Sequence, residues 1–113
     1  MNDDIEKGLL LNFKDFAESA DNDILNKKYN PAVSNYFKAI VILCDWKIYQ
    51  ERRVLPKNHS EIFHFLELHF KEAYNLVSPL FRSYTDSHNI RFKKKDAILL
   101  KENVEKLRKI FNY

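Results

Sequence analysis

Two arginines and a histidine lie close together in segment 51–59, between two strongly helical stretches. Five residues separate Arg53 from His59, and six separate Arg52 from it. A histidine can transfer a proton near neutral pH, and an arginine holds a phosphate in a fixed planar geometry. An arginine and a histidine brought together supply the minimum set of groups for metal-free cleavage of RNA. In this hypothesis His59 moves a proton at the ribose 2′-hydroxyl or the leaving oxygen, while Arg53 stabilises the charge that develops on the phosphate.

The same segment also fits a simple junction between two helices. Basic residues near the C-terminal end of a helix complement its dipole. Asn58 followed by Glu61 resembles a capping box, and His59 shares one helical face with the apolar residues at positions 62, 63 and 66. The spacing leaves both interpretations open, with Arg52 and Asn58 as further candidates for contacts to a substrate.

A second basic element lies nearer the C-terminal end of the sequence, at Arg91, Phe92, Lys93, Lys94 and Lys95. An aromatic ring among cations can stack on a base while the lysines follow the phosphates. A solvated loop that leads into a basic helix is the alternative. The element is therefore a candidate substrate contact rather than a defined motif.

Charge is distributed unevenly along the chain, whose net charge is +3. Residues 1–30 contain four Lys and Arg against seven Asp and Glu, whereas residues 89–113 contain eight against three. This gradient permits a nucleic-acid-binding face near the C-terminal end. Arg82 is a further candidate for a substrate contact, although Asp86 four residues on could pair with it.

Several common catalytic and cofactor sites lack the residues that they need. His59, His64 and His69 are five residues apart, whereas a zinc-binding pair on a helix needs a spacing of four. Gly8 is the only glycine, which excludes glycine-rich phosphate-binding loops. The single cysteine, Cys44, lies in an apolar run and is interpreted as a buried hydrophobe. We therefore expect no metal site and no cofactor.

Hydrophobic periodicity predicts an all-α bundle, and the length of 113 residues predicts a single domain that spans 1–113. The second predicted helix is apolar around nearly its whole circumference, so it should be central, with the others packed around it. Asn30 and Pro31 are expected at its N-cap and first position. Pro79 predicts a kink in the fourth helix, or a later start near Val77. The five predicted helices are roughly 3–26, 30–51, 58–71, 72–87 and 94–111.

No stretch has the features of a targeting or membrane-spanning segment. The first four residues include Asp3 and Asp4 and no basic residue, whereas a signal peptide would be basic there. The apolar run 39–44 is closely flanked by Lys38 and Asp45 and is too short to cross a bilayer. We expect a soluble cytoplasmic protein, and the single cysteine agrees with a reducing environment.

Several stretches resemble, in order, the helices of HEPN domains. The segment Tyr-Asn-Pro-Ala-Val-Ser-Asn-Tyr-Phe-Lys-Ala-Ile, at 29–40, is similar to the second helix of that family. The segment Leu-Pro-Lys-Asn-His-Ser-Glu-Ile-Phe, at 55–63, resembles the start of the third helix, which carries a histidine. A third similarity is to the end of the family's fourth helix and to the arginine–aromatic turn before its last helix. It involves residues 83–84, 89–92 and 96–97. The similarity extends from about Ala20 onward.

The resemblance implies an up-and-down bundle that often dimerises. Many HEPN proteins are metal-independent ribonucleases in toxin–antitoxin and other defence systems, and some act beside a minimal nucleotidyltransferase. Their arginine and histidine have four to six residues between them and meet across the dimer, which implies Arg53 and His59 here, with Arg52 at the limit of that spacing. In this chain Val54 follows the arginine where the family has a polar residue, and Pro56 interrupts the helix.

The resemblance also implies what the chain binds. Expected partners are a second copy of the chain, RNA or a nucleotide, and an antitoxin or a nucleotidyltransferase protein. Some members of the family are not catalytic. The alternative function is therefore a non-catalytic module that binds a nucleotide or another protein.

Overall fold

The protein is an all-α bundle in a computed structural model that describes residues 3–84 and 89–113. All regular structure in these ranges is helical, which confirms the predicted fold class and the number of helices. The predicted end of the fourth helix near position 87, and Asp86, lie outside the described residues. None of the described helices is both long enough and apolar enough to cross a membrane. The helices are α1 (Asp3–Leu25), α2 (Tyr29–Arg52), α3 (His59–His69), α4 (Lys71–Tyr84) and α5 (Lys94–Ile110).

The second helix is the central one, as predicted from its sequence. Side chains on most sides of α2 are buried, so the helix needs neighbours in several directions. Helices α1, α3 and α5 pack against it, and α4 reaches it through Phe37 and Phe81, whose ring centroids are 4.7 Å apart. The buried side chains of α2 are Ala32, Val33, Tyr36, Ala39, Ile40, Leu43, Cys44, Trp46, Ile48 and Tyr49.

Helix α1 runs antiparallel to α2. Near one end Asn35 Nδ2 donates to Asp23 Oδ2 over 2.9 Å, and near the other end Arg53 Nη1 lies 3.7 Å from Glu6 Oε1. The turn between the two helices places Lys27 in the left-handed region, with φ of 58°. Glycine usually takes such positions at helix ends, but this chain has only one glycine, in the first helix.

Helix α3 runs in the same direction as α2. The ring of His59, at the start of α3, lies 6.1 Å from the ring of Phe37. At the other end, Arg52 Nη2 lies 2.7 Å from His69 Nε2. Segment 53–58 must therefore return along α2, and six extended residues can span about 20 Å. The up-and-down order implied by the resemblance does not hold at this step, because the non-helical segment 53–58 returns along α2 before α3 begins.

Helices α3 and α4 form an antiparallel hairpin held by aromatic rings. The ring of Phe63 lies 4.5 Å from that of Phe81 and 6.4 Å from that of Tyr74. Helix α4 begins at Lys71 and continues through Pro79. The alternative of a later start near Val77 is therefore wrong, since packing of the hairpin holds the first turns of α4 in helical form.

Asn30 joins the start of α2 to the segment before α5. The expectation that Asn30 caps α2 is wrong, because the helix begins one residue earlier and Lys28 is the cap, with no side-chain hydrogen bond. Asn30 Nδ2 donates to the carbonyl of Ile90 over 2.7 Å. Asn30 Oδ1 accepts from the amide of Phe92 over 2.8 Å. The non-helical segment around position 91 thus obtains partners for backbone groups that its own secondary structure does not satisfy.

Replacement of Asn30 by alanine should destabilise the bundle by about 1–2 kcal/mol, because it leaves the Ile90 carbonyl and the Phe92 amide without these partners. Urea unfolding measures the change. Asn12→Ala is the matched control, since Asn12 is exposed on α1. Equal stability of the two variants would show that the link through Asn30 contributes nothing.

Candidate functional site

Arg53 and His59 do not meet within one chain. Arg53 turns towards α1, where its Nη1 lies 3.7 Å from Oε1 of Glu6. Its guanidinium carbon also lies 5.5 Å from the ring centroid of Tyr49 on α2. His59 presents its ring to Phe81, with centroids 4.8 Å apart at 83°. The α2 residue beside His59, Phe37, precedes Arg53 by sixteen positions, or about 24 Å of helix.

Asn58 has a structural role at the start of α3. Its Oδ1 accepts a hydrogen bond from the amide of Glu61 over 3.0 Å, so the predicted N-cap is confirmed. The carboxylate of Glu61 accepts in turn from the amide of Lys57 over 2.9 Å. These bonds account for the sequence around His59 as a helix start, which supports the structural interpretation of this part of the junction.

The arginine and histidine that do meet are Arg52 and His69, at the C-terminal ends of α2 and α3. Arg52 Nη2 and His69 Nε2 are 2.7 Å apart. Together with Glu51 and Phe70 they line a cavity of ≈ 260 Å³, which we call the Arg52–His69 notch. His69 was not a candidate from the sequence. Spacing along a helix could not reveal it, because the contact joins residues seventeen positions apart on parallel helices.

The predicted basic element forms part of a larger cationic surface. Arg91 lies between the two residues bonded to Asn30, and Lys93–95 follow directly. Lys27 and Lys28 precede Asn30 by three and two residues, so they lie within about 10 Å of it. We call this surface the basic end. All six of its cations are exposed: Lys27, Lys28, Arg91, Lys93, Lys94 and Lys95.

Two features of the basic end differ from the sequence expectation. Phe92 is buried, with 8% of its surface exposed, so it cannot stack on a base as predicted. Lys27 and Lys28 were missed because they end an acidic stretch of sequence and are about sixty residues before position 91, which Asn30 joins to the start of α2. Arg82 is exposed in the last turn of α4, one residue after Phe81.

The predicted substrate contacts do not form one site. Asn30 and Arg52 lie near opposite ends of α2, about 33 Å apart at the rise of an α-helix. The basic end and the Arg52–His69 notch are therefore separate surfaces of a molecule whose longest extent is 39 Å. Within the described ranges, no three His, Cys, Asp or Glu side chains converge to hold a metal ion.

The titratable groups inside α2 do not form a nucleophilic site. Cys44 is fully buried, as predicted, and burial raises the pKa of its thiol. Burial, and then a hydrogen bond to Asp21, raise the pKa of Tyr36. Burial also raises the pKa of Asp45 from 3.8 to about 6. The Oδ1 atom of Asp45 is buried without a hydrogen-bond partner, which explains why the charged form is disfavoured.

Comparison with known proteins provides no relative for this chain. No protein-family model, curated protein or solved structure matches it. The basic end and the Arg52–His69 notch are therefore characterised from their own residues and contacts.

Asp45→Asn should stabilise the protein near pH 7 and have little effect near pH 4. The folded state binds the Asp45 proton more tightly than the unfolded state, so stability falls as pH rises from about 4 to 6. The full shift corresponds to about 3 kcal/mol, and because the carboxylate is partly exposed we expect about half of it.

Urea unfolding at several pH values measures this effect. Asp15→Asn is the control, because Asp15 is exposed on α1. A stability difference between Asp45→Asn and the native protein that does not change with pH would contradict the account of Asp45.

Proposed function

We propose that this chain is an RNA-binding helical domain whose basic end contacts RNA phosphates. The observation that carries the proposal is the pair of hydrogen bonds at Asn30, which donates to the carbonyl of Ile90 and accepts from the amide of Phe92. These bonds bring together cations from two segments that lie about sixty residues apart in sequence. A cluster of this kind releases counterions from nucleic acid when it binds, which supplies the main free energy of non-specific association.

The charge of the basic end is not neutralised by neighbouring acids. None of its six cations forms an ion pair with another described residue. Two nearby carboxylates accept hydrogen bonds from neutral groups, Asp23 from the side chain of Asn35 and Asp96 from the amide of Lys93. The lysines and Arg91 are exposed, so phosphates can approach them directly.

Removal of three cations from the basic end should weaken binding of single-stranded RNA at least about tenfold at low salt. The slope of the logarithm of affinity against the logarithm of salt concentration should become shallower by about two. The variant is Lys28→Gln with Arg91→Gln and Lys95→Gln, measured by fluorescence anisotropy at several salt concentrations. The control has the same net charge and combines Lys7→Gln, Lys14→Gln and Lys106→Gln, three exposed lysines outside the basic end.

The two triple variants distinguish a surface from a general charge effect. If both weaken RNA binding equally, the basic end is not the binding surface. An RNA affinity that does not depend on salt would argue against phosphate contacts altogether and favour the alternative of a non-catalytic protein-binding module.

Metal-independent cleavage of RNA is the second candidate function, with His59 as acid and base and Arg53 on the phosphate. The observation in its favour is that both side chains are exposed, which leaves them accessible to a second copy of the chain. In a dimer, Arg53 of one copy can meet His59 of the other, as in the HEPN domains that the sequence resembles. An antitoxin or a nucleotidyltransferase protein would then be a further partner.

Under this second proposal the purified protein should cleave single-stranded RNA in the presence of a chelator, and His59→Ala should abolish the cleavage. His64→Ala is the control, because His64 is exposed on the same helix. Light scattering should show a dimer. Full activity in the His59 variant would contradict the assignment, and RNA binding without cleavage would leave a non-catalytic binding domain.

A further inference from the structure

The Arg52–His69 notch lies about 33 Å from the basic end and takes no part in the RNA contact proposed above. We propose that the notch is a proton-coupled binding site for a tetrahedral oxyanion of the phosphate class. Its components are a guanidinium and an imidazole in direct contact at 2.7 Å, beside a cavity of ≈ 260 Å³. The inference does not depend on whether the chain binds RNA.

The chemistry of the two side chains determines how the notch changes on protonation. A guanidinium can only donate hydrogen bonds, so Nε2 of His69 must accept, and the ring proton then resides on Nδ1. Protonation of Nε2 removes this acceptor and places two positive groups in contact. An oxyanion between them accepts a hydrogen bond from each, which replaces repulsion by two charge-assisted bonds.

The charged neighbours of the notch are largely paired with one another. On α2, Lys47 Nζ lies 3.3 Å from the carboxylate of Glu51. Across the α3–α4 junction, Lys71 Nζ lies 3.9 Å from the carboxylate of Glu67. Arg53 pairs with Glu6 of α1. Helix α5 contributes an apolar contact through Phe111, whose ring lies 5.8 Å from that of Phe70.

Because these pairs compensate each other, the anion must be held mainly by Arg52 and protonated His69. Two helices also end at the notch, and the partial negative charge of their C-terminal ends opposes an anion. Neutral His69 therefore gives weak binding, and proton uptake strengthens it. The volume of the cavity admits a tetrahedral oxyanion together with part of the group attached to it, as in a phosphate monoester.

Sulfate is the appropriate probe, because it stays a dianion between pH 5.5 and pH 8.0 whereas phosphate itself titrates. Sulfate affinity should be about tenfold higher at pH 5.5 than at pH 8.0, because a protonated imidazole adds a second charge-assisted hydrogen bond to the anion. NMR spectra of the histidine side chains report the binding and locate it. A titration with sodium chloride at equal ionic strength gives the spectral changes that ionic strength alone causes.

Three variants test the assignment. His69→Gln should remove the pH dependence, and Arg52→Ala should abolish sulfate binding at both pH values. His64→Gln, at an exposed position of the same helix, should behave like the native protein. Circular dichroism confirms that each variant is folded. A pH dependence that survives in His69→Gln, or sulfate-induced shifts only at the basic end, would overturn the proposal.

The two proposals fail independently. The triple variant of the basic end should keep its pH-dependent sulfate binding, and His69→Gln should keep its affinity for unphosphorylated RNA. Inorganic phosphate and a short RNA with a 5′-phosphate identify the source of the ligand: whichever competes better with sulfate at pH 5.5 is the better occupant. Failure of both to compete would overturn the phosphate class.

Discussion

The burial of α2 on nearly all sides is the constraint on which the rest of the structure depends. Its apolar surface needs neighbours in several directions, and a chain of 113 residues supplies them only if the other four helices surround it. The connection after α2 therefore returns along the helix, so that α3 runs in the same direction. This arrangement brings Arg52 to His69 and separates Arg53 from His59, although the second pair is far closer in sequence.

A single side-chain amide has a comparable influence at the other end of the bundle. Residues 90–93, before α5, are not helical, and Asn30 supplies both a donor and an acceptor to this segment. These bonds join the turn between α1 and α2, which carries Lys27 and Lys28, to the basic residues around position 91. The described residues thus include the broad basic end and, far from it, the small Arg52–His69 notch, where an arginine contacts a histidine.

Patterns local to one helix were sufficient to predict much of the fold. They gave the five helices, the central position of α2, the cap at Asn58 and the burial of Cys44. They could not give the direction of α3, because a periodic pattern reports which face of a helix is apolar but not which way its neighbour runs. His69 and Lys28 were missed for the same reason, since each joins its site through a contact between distant segments.

The most direct test of the account is a map of backbone amide shifts as single-stranded RNA is titrated into the labelled protein at low salt. If the basic end binds RNA phosphates, the largest changes occur at Lys27, Lys28, Arg91 and residues 93–95, and they disappear together as salt is raised. Lys7 and Lys14, exposed on the first turns of α1, should change little. Shifts concentrated on α1, or shifts confined to only one of the two segments joined by Asn30, would contradict it.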